Sequence, residues 1–487
     1  MNYYLIKFFI PFIGVMFALW LSLSISNNNF FEIIIASILL SLIAAVASAL
    51  HNAKLIRSIL CLLVVGYIIA GKGFAYIGIQ PFYVGEIVLA WCGFCWLLRL
   101  SLRKIDKPFP SGALIYILSA IVISGTIQLF FVIETYGFLA LRDYAMIGYI
   151  GYFIVSYDVF KLEKSRETFY RISLTASIIA VIMLIISTVL NLDWTKAVPL
   201  SLRGRPIFMP HVDTLVPVFS MLTSFLASGV TRSGLSLLGI SCAIGLVLFS
   251  LANLKSAFFL GLVATMGLYF FVKKLRVKLI QVAIGILISV SMTVIAIFAI
   301  GGTYSKDLED RVESEFKSLL PGEIFTSGNV RTGSTAEWRY IWWSKITENT
   351  LVKNPFFGSG LGSDISTEFM KDYFSASVIE DDGSISRYPH NILFTALGRL
   401  GLVGFILWAS LIFSIFVYAF NFAIAMKFDK RPVWGFYAWS FVLAAVANSL
   451  VQSTFEAPFA AIPFWIFLGC AIREYEKIFA KSYETSD

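Results

Sequence analysis

Apolar runs of about 18 or more residues recur along almost the whole chain, and that length is what a helix needs to cross a lipid bilayer. A water-soluble core has no room for so many of them. Hydrophobic residues make up 58% of the 487 positions and charged ones 14%, against nearer half and a quarter in a soluble domain. The expected fold class is therefore all-α: a polytopic transmembrane helical bundle. The first run, Leu5 to Ile25, has neither a basic leader nor an A-x-A-like cleavage site, so it reads as an uncleaved anchor.

About fourteen spans are expected: near 5–25, 30–50, 55–71, 83–100, 112–132, 144–160, 171–190, 211–229, 234–251, 256–272, 279–300, 401–422, 433–451 and 456–472. Their connections alternate in charge. Lys54/Arg57, Arg99/Arg103/Lys104/Lys107, Lys161/Lys164/Arg166/Arg171, Lys273/Lys274/Arg276/Lys278 and Lys427/Lys430/Arg431 form a basic set. The positive-inside rule puts that set and both termini in the cytoplasm. Asn27–Asn29, Lys72, Arg142 and the Gln452–Ala457 turn then face out. The net charge of +8 follows from this topology and does not call for nucleic acid. The expected organisation is a membrane bundle over 1–300, one large helical outer loop over 301–391, and C-terminal membrane helices with a cytoplasmic tail over 392–487. Cys92 and Cys95 have redox-motif spacing, but they fall inside a span with no soluble fold around them.

Three features stand out against this background. The outer connection Asn191–Pro210 carries Lys196, Arg203 and Arg205 with one acid, Asp193, against the charge bias. Such cations serve either a bound anion or lipid headgroups. The long outer segment begins with an amphipathic helix over Ser305–Leu320. A second helix starts at a capping box, Ser334 with Glu337, and carries Trp338, Ile341, Trp342 and Lys345 on one side and Arg339 with Trp343 on another. A turn follows, Asn354-Pro355-Phe-Phe-Gly358-Ser-Gly360-Leu-Gly362, whose successive amides could form an anion nest. Asp364–Tyr373 is expected to be a further short helix. The segment ends at Tyr388-Pro389-His390-Asn391, where one of only three histidines stands at the seam between loop and membrane. Histidine is the side chain that exchanges protons near neutral pH. Asn391 is expected to cap the apolar helix that follows, which carries Gly401 and Gly404.

The order Arg339, Trp342/Trp343, Pro355-x-x-Gly358-x-Gly360-x-Gly362, His390-Asn391, Gly401-x-x-Gly404 resembles the bacterial O-antigen ligase and polysaccharide polymerase superfamily. The resemblance runs from about Arg203 to Gly404. It implies a GT-C-like integral membrane glycosyltransferase of the inner membrane, with a periplasmic active site and no cofactor. The donor would be a glycan on undecaprenyl diphosphate. The acceptor would be a second lipid-linked glycan, for a polymerase of O-antigen or exopolysaccharide repeats, or the lipid A core, for an O-antigen ligase. Membrane lipid and a polysaccharide chain-length regulator are the other partners it implies.

By the same resemblance His390 corresponds to the essential loop histidine and Arg339 to the arginine of the preceding helix. Arg203 and Arg205 correspond to the upstream outer arginines, and Lys255 stands where the family has an arginine. Arg339, Arg203, Arg205 and Lys255 would together stabilise the charge on a departing diphosphate without a metal. His390 would take the acceptor proton, bind diphosphate, or orient the acceptor. Gly358, Gly360, Trp342, Trp343 and Asn391 would support the site. Direct attack by the acceptor would invert the anomeric centre. Arg399 occupies the place where an acid partner for His390 is wanted. A lipid-linked oligosaccharide flippase is the alternative from another class, and it calls for charges deep in the spans and internal repeats.

Overall fold

The computed structural model describes residues 53–79, 82–102, 105, 107–189, 201–202, 205–206, 208–227, 267, 284–285, 335–366, 388–426 and 434–484. Within them the regular secondary structure is helical apart from two two-stranded hairpins. In chain order the elements are α1 (Lys54–Ala70), α2 (Lys72–Ala75), β1 (Gly78–Ile79), β2 (Phe82–Tyr83), α3 (Val84–Ser101), α4 (Ala113–Tyr136), α5 (Phe138–Gly148) and α6 (Ile150–Val159). Then come α7 (Glu163–Val189), β3 (Ser201–Leu202), β4 (Arg205–Pro206), α8 (Val212–Ala227), α9 (Thr335–Lys353), α10 (Ile392–Met426), α11 (Trp434–Ser449) and α12 (Pro458–Glu484).

Among the described residues, five stretches are long and apolar enough to cross a membrane: Val84–Ser101, Ala113–Tyr136, Phe138–Val159, Glu163–Leu184 and Ile392–Ala425. The expected spans 1, 2 and 9–11 lie wholly or almost wholly outside the described residues, whereas the third, 55–71, is α1. Three boundaries differ from expectation. The 144–160 span begins six residues earlier, at Phe138, and turns at Tyr149 from α5 into α6. The 401–422 span begins at Ile392. The last helix starts at Pro458 and continues to Glu484, because its second half carries ionic contacts that hold it in helical form.

The core is built by α11 and α12. Every residue of α11 from Gly435 to Ser449 is buried, as befits a helix surrounded by others. It packs on α8 and α12, and α12 packs on α6. Phe441 stacks on Phe467 at 4.0 Å between centroids, and Trp439 and Trp465 are fully enclosed. At the periphery, α4 packs on α5 and α10 but turns Phe130 and Phe131 outward, 76% and 80% exposed. Outward phenylalanines on an apolar helix match a lipid-facing surface.

The two ends of the bundle differ in kind. At one end the basic set is neutralised: Arg99 pairs with Asp158 at 3.2 Å, Arg166 with Glu474 at 2.6 Å and Lys107 with Glu476 at 2.9 Å. Arg473 lies 3.5 Å over the Tyr157 ring. Helices α3, α6, α7 and α12 thus share a basic end, and the motif residues gather at the other.

Candidate active site

At the motif end, α10 is broken. Gly401 has φ 67° and ψ −160°, so the helical ladder stops there and restarts beyond it. A break inside an apolar helix strands carbonyls before it and amides after it, and bare backbone groups are costly away from water. The glycine-rich loop supplies the missing partners. The Ser359 amide donates to the Gly398 carbonyl at 2.8 Å and the Gly360 amide to Arg399 at 3.0 Å. In return the amides of Leu402 and Val403 donate to the carbonyls of Pro355 (2.8 Å) and Phe356 (3.3 Å). Gln128 of α4 donates to the carbonyls of both Phe357 and Arg399. A Cβ on Gly358 would lie 2.6 Å from the Gly401 nitrogen, so bare backbone is required at this crossing.

This corrects the anion-nest expectation for Gly358 and Gly360. The amides of Ser359 and Gly360 are committed to α10, that of Gly358 to the Asn354 carbonyl, and that of Gly362 to the Asp143 carboxylate at 2.9 Å. The paired glycines also differ in role. Gly401 receives the loop backbone, whereas Gly404 lies against Leu400 and Ala396 of its own helix.

Asp143 on α5 also holds Arg399, Nη1 to Oδ2 at 2.8 Å, with the two side chains 0% and 1% exposed. Arg142 approaches the other oxygen at 3.7 Å. The Arg399 guanidinium lies 5.0 Å from the Tyr388 ring centroid. Burial raises the Tyr388 hydroxyl pKa, with Arg399 opposing and Asp143 adding to the rise. Arg399, which takes the place of a wanted acid in the sequence, is therefore the partner of an acid from another helix.

His390 has φ 54°, the single positive φ at a non-glycine among the described residues. That is a strained conformation for a residue with a Cβ, and such strain concentrates at functional positions. Its neighbours fix it. Asn391 accepts the Leu393 amide on Oδ1 at 2.9 Å, capping α10, and its Nδ2 donates to the Leu450 carbonyl at 2.8 Å. Trp343 donates its indole N–H to the Pro389 carbonyl at 2.7 Å and stacks on Phe394 at 4.9 Å and 7°.

Helix α9 starts at Thr335, one residue after the expected cap, and ends at Lys353, just before Asn354-Pro355. Its buried stripe is Trp342, Ile346 and Thr350, packed toward α10, and Trp342 donates to the Ile365 carbonyl at 3.0 Å. Arg339 lies one turn before Trp343 along the helix that grips Pro389.

Two buried carboxylates that sequence reasoning did not single out lie at the start of α8 and just before α12. Glu456 lies in the turn between α11 and α12 and is 8% exposed; it accepts a hydrogen bond from the Thr395 hydroxyl. Asp213, in the first turn of α8, is fully buried. It accepts from Asn448 at 3.1 Å and sits 3.5 Å from His211 Nδ1. Burial pushes Glu456 up to about 7, against the opposing effects of the Thr395 hydrogen bond and Arg399. The only sequence signal for Glu456 is a lone acid in an otherwise uncharged turn.

Of the outer cations, Arg203 and Lys255 lie outside the described residues, as do Ser305–Leu320, where a helix is expected, and most of Asp364–Tyr373; residues 364–366 are not helical. Arg205 is in β4, paired with Leu202 of β3. The segment that follows is tied to this end of the bundle: Met209 exchanges backbone hydrogen bonds with Ala70 and Lys72 at 2.9 Å each. Cys92 and Cys95 are buried inside α3.

No curated protein matches the chain by sequence. The family model described as O-antigen ligase matches residues 219–409, which takes in α9, the glycine-rich loop, His390 and the Gly401 break, and leaves Asp143 and Glu456 outside. Over that segment the chain resembles the O-antigen ligase and polysaccharide polymerase superfamily, the family type of a membrane glycosyltransferase.

Proposed function

We propose that this protein is an inverting glycosyltransferase that moves a glycan from undecaprenyl diphosphate to an acceptor sugar, as a polymerase of O-antigen or exopolysaccharide repeat units. The observation that supports the reading is the bond from Trp343, one turn after Arg339 on α9, to the Pro389 carbonyl next to His390, beside one broken helix and within the matched segment. The donor is already activated. When its anomeric C–O bond breaks, the diphosphate gains charge, and fixed cations in a water-poor site stabilise that charge best. Arg339, with Arg203, Arg205 and Lys255 from the outer loops, supplies them without a metal. His390 meets the acceptor hydroxyl, as its general base or as the group that orients it. The carrier keeps its chain in lipid, its diphosphate reaches the periplasmic face of the inner membrane, and both protein termini remain cytoplasmic.

The ligase is the second reading, favoured by the description of the matching family. One experiment separates the two. Purified protein is given lipid-linked repeat units alone and then with lipid A core. A ladder of longer lipid-linked chains from the repeat units alone is the polymerase result. Product that forms only with lipid A core assigns the ligase instead, and no product under either condition removes glycosyl transfer.

A further inference from the structure

Hydrogen bonds fix the level at which the glycine-rich loop lies beside the apolar helices. Helix α9 descends alongside α10: Trp343 meets Pro389, ahead of the first turn, and the Pro355 carbonyl meets the Leu402 amide, beyond the break. Gln128 of α4 bonds the carbonyls of both Phe357 and Arg399, so these three residues share one level. From there the loop returns along α4 toward its end, Gly360 against Val132 and Gly362 against Tyr136 and Ala140. Phe356 and Phe357 are therefore the tip of a hairpin.

Helix α4 measures how deep that tip lies. It begins at Ala113, and Gly112 before it lies against Tyr418, which packs on Tyr475 beside Glu476 of the basic end. A hydrocarbon core of about 30 Å takes up about 20 residues of helix at 1.5 Å each. Counted from Ala113, the core ends near Ile133, next to Glu134, the one charged residue of α4. Gln128 lies five residues before Ile133, about 7 Å inside that limit.

The exposed surface fits this depth. Phe356 and Phe357 are 63% and 69% exposed, close to the level of Phe130 and Phe131 on the outward side of α4. Leu351 and Val352, at the end of α9, are exposed as well. In water this would be a costly apolar patch, whereas in lipid it continues the outward surface of α4. The backbone meets the other demand of lipid, because the amides of Gly358, Ser359, Gly360 and Gly362 all have protein acceptors. Lys353 stands one turn before Phe357, from which a long side chain reaches the headgroups.

We propose that the end of α9 and the glycine-rich loop form a re-entrant hairpin, inserted in the bilayer at the motif end with Phe356 and Phe357 against lipid acyl chains. The segment expected to lie wholly outside the membrane then has its tip within it. The break at Gly401 follows from this: α10 opens its ladder at membrane depth where the hairpin arrives to close it. The proposal does not depend on the glycosyl-transfer reading.

The test is photocrosslinking of the full chain in vesicles of phosphatidylethanolamine and phosphatidylglycerol. Benzoylphenylalanine is placed at one position at a time: at Phe356, at Phe357, at Phe131 on the outward side of α4, and at Tyr340, 62% exposed in the second turn of α9. All four are exposed aromatic positions, so the larger ring displaces no core residue. Mass spectrometry after illumination reads the covalent phospholipid. Phe356 and Phe357 should give as much adduct as Phe131 and about ten-fold more than Tyr340. Adduct no higher than at Tyr340 places the loop in water and overturns the hairpin. Crosslinks from Phe357 to the protein in place of lipid show that another segment covers the tip, and overturn it too. No adduct at Phe131 removes the lipid-facing surface from which the depth is measured, and the proposal falls with it.

Discussion

Asp143 Oδ2 holds two groups at once: the Arg399 guanidinium at 2.8 Å and the Gly362 amide at 2.9 Å. Through that one oxygen α5 is fastened both to the broken helix and to the loop that completes it. The loop and the broken helix are therefore clamped together by a fully buried charge pair.

Removing half of that pair should be far worse than removing both. Asp143→Ala leaves the Arg399 charge buried without its carboxylate and should cost about 3–5 kcal/mol. Pairing Asp143→Leu with Arg399→Met should recover most of the loss. Thermal unfolding in detergent reads both, and a single variant as stable as the parent would show that the clamp does not matter.

Two glycines offer an internal contrast. Gly401→Ala places a Cβ against the Phe356 backbone at a φ of 67°, so it should expel the glycine-rich loop and destabilise by well over the roughly 1–2 kcal/mol of left-handed strain alone. Gly148, near the end of α5, has open space around its Cβ position and ordinary helical backbone. Gly148→Ala should be neutral or stabilise by about 0.5–1 kcal/mol. Protease resistance of the two variants, measured side by side, should rank them in that order; the reverse order would contradict the loop-for-ladder exchange at Gly401.

For His390 the backbone separates fold from chemistry. His390→Ala and His390→Gly should both abolish transfer. Only alanine keeps a Cβ at φ 54°, so the glycine variant should be the more stable by about 1 kcal/mol. Near-normal turnover in either variant would remove His390 from the reaction.

Arg339→Ala should raise the KM for the lipid-linked donor and lower kcat, because a guanidinium fork contributes to both holding and discharging a diphosphate. Arg339→Lys should restore the point charge without the fork and recover activity in part. Kinetics unchanged in both variants would take Arg339 out of the site.

The apolar runs and the alternating charges were sufficient to indicate the helices of the bundle and its basic end, because span length and loop charge are local properties. The cap at Asn391, the start of α9 after Ser334 and its stop before Asn354-Pro355 were legible for the same reason. Each depends on residues within a turn of one another. The glycine-rich loop was legible as a motif but not in purpose. Its amides serve a helix break about forty residues on, and nothing in Pro355–Gly362 states that Gly401 will leave carbonyls unsatisfied. The acids were hidden altogether. Asp143 meets Gly362 from 219 positions away, and Glu456 meets Thr395 from 61. A buried carboxylate is tolerable only where donors and cations surround it, and here they come from separate helices brought together by packing. The sequence by itself determined that the chain builds long apolar helices and which motif precedes α10. Only the tertiary structure decided that Arg399 is the partner of an acid, and that the carboxylate beside the first turn of α10 belongs to Glu456.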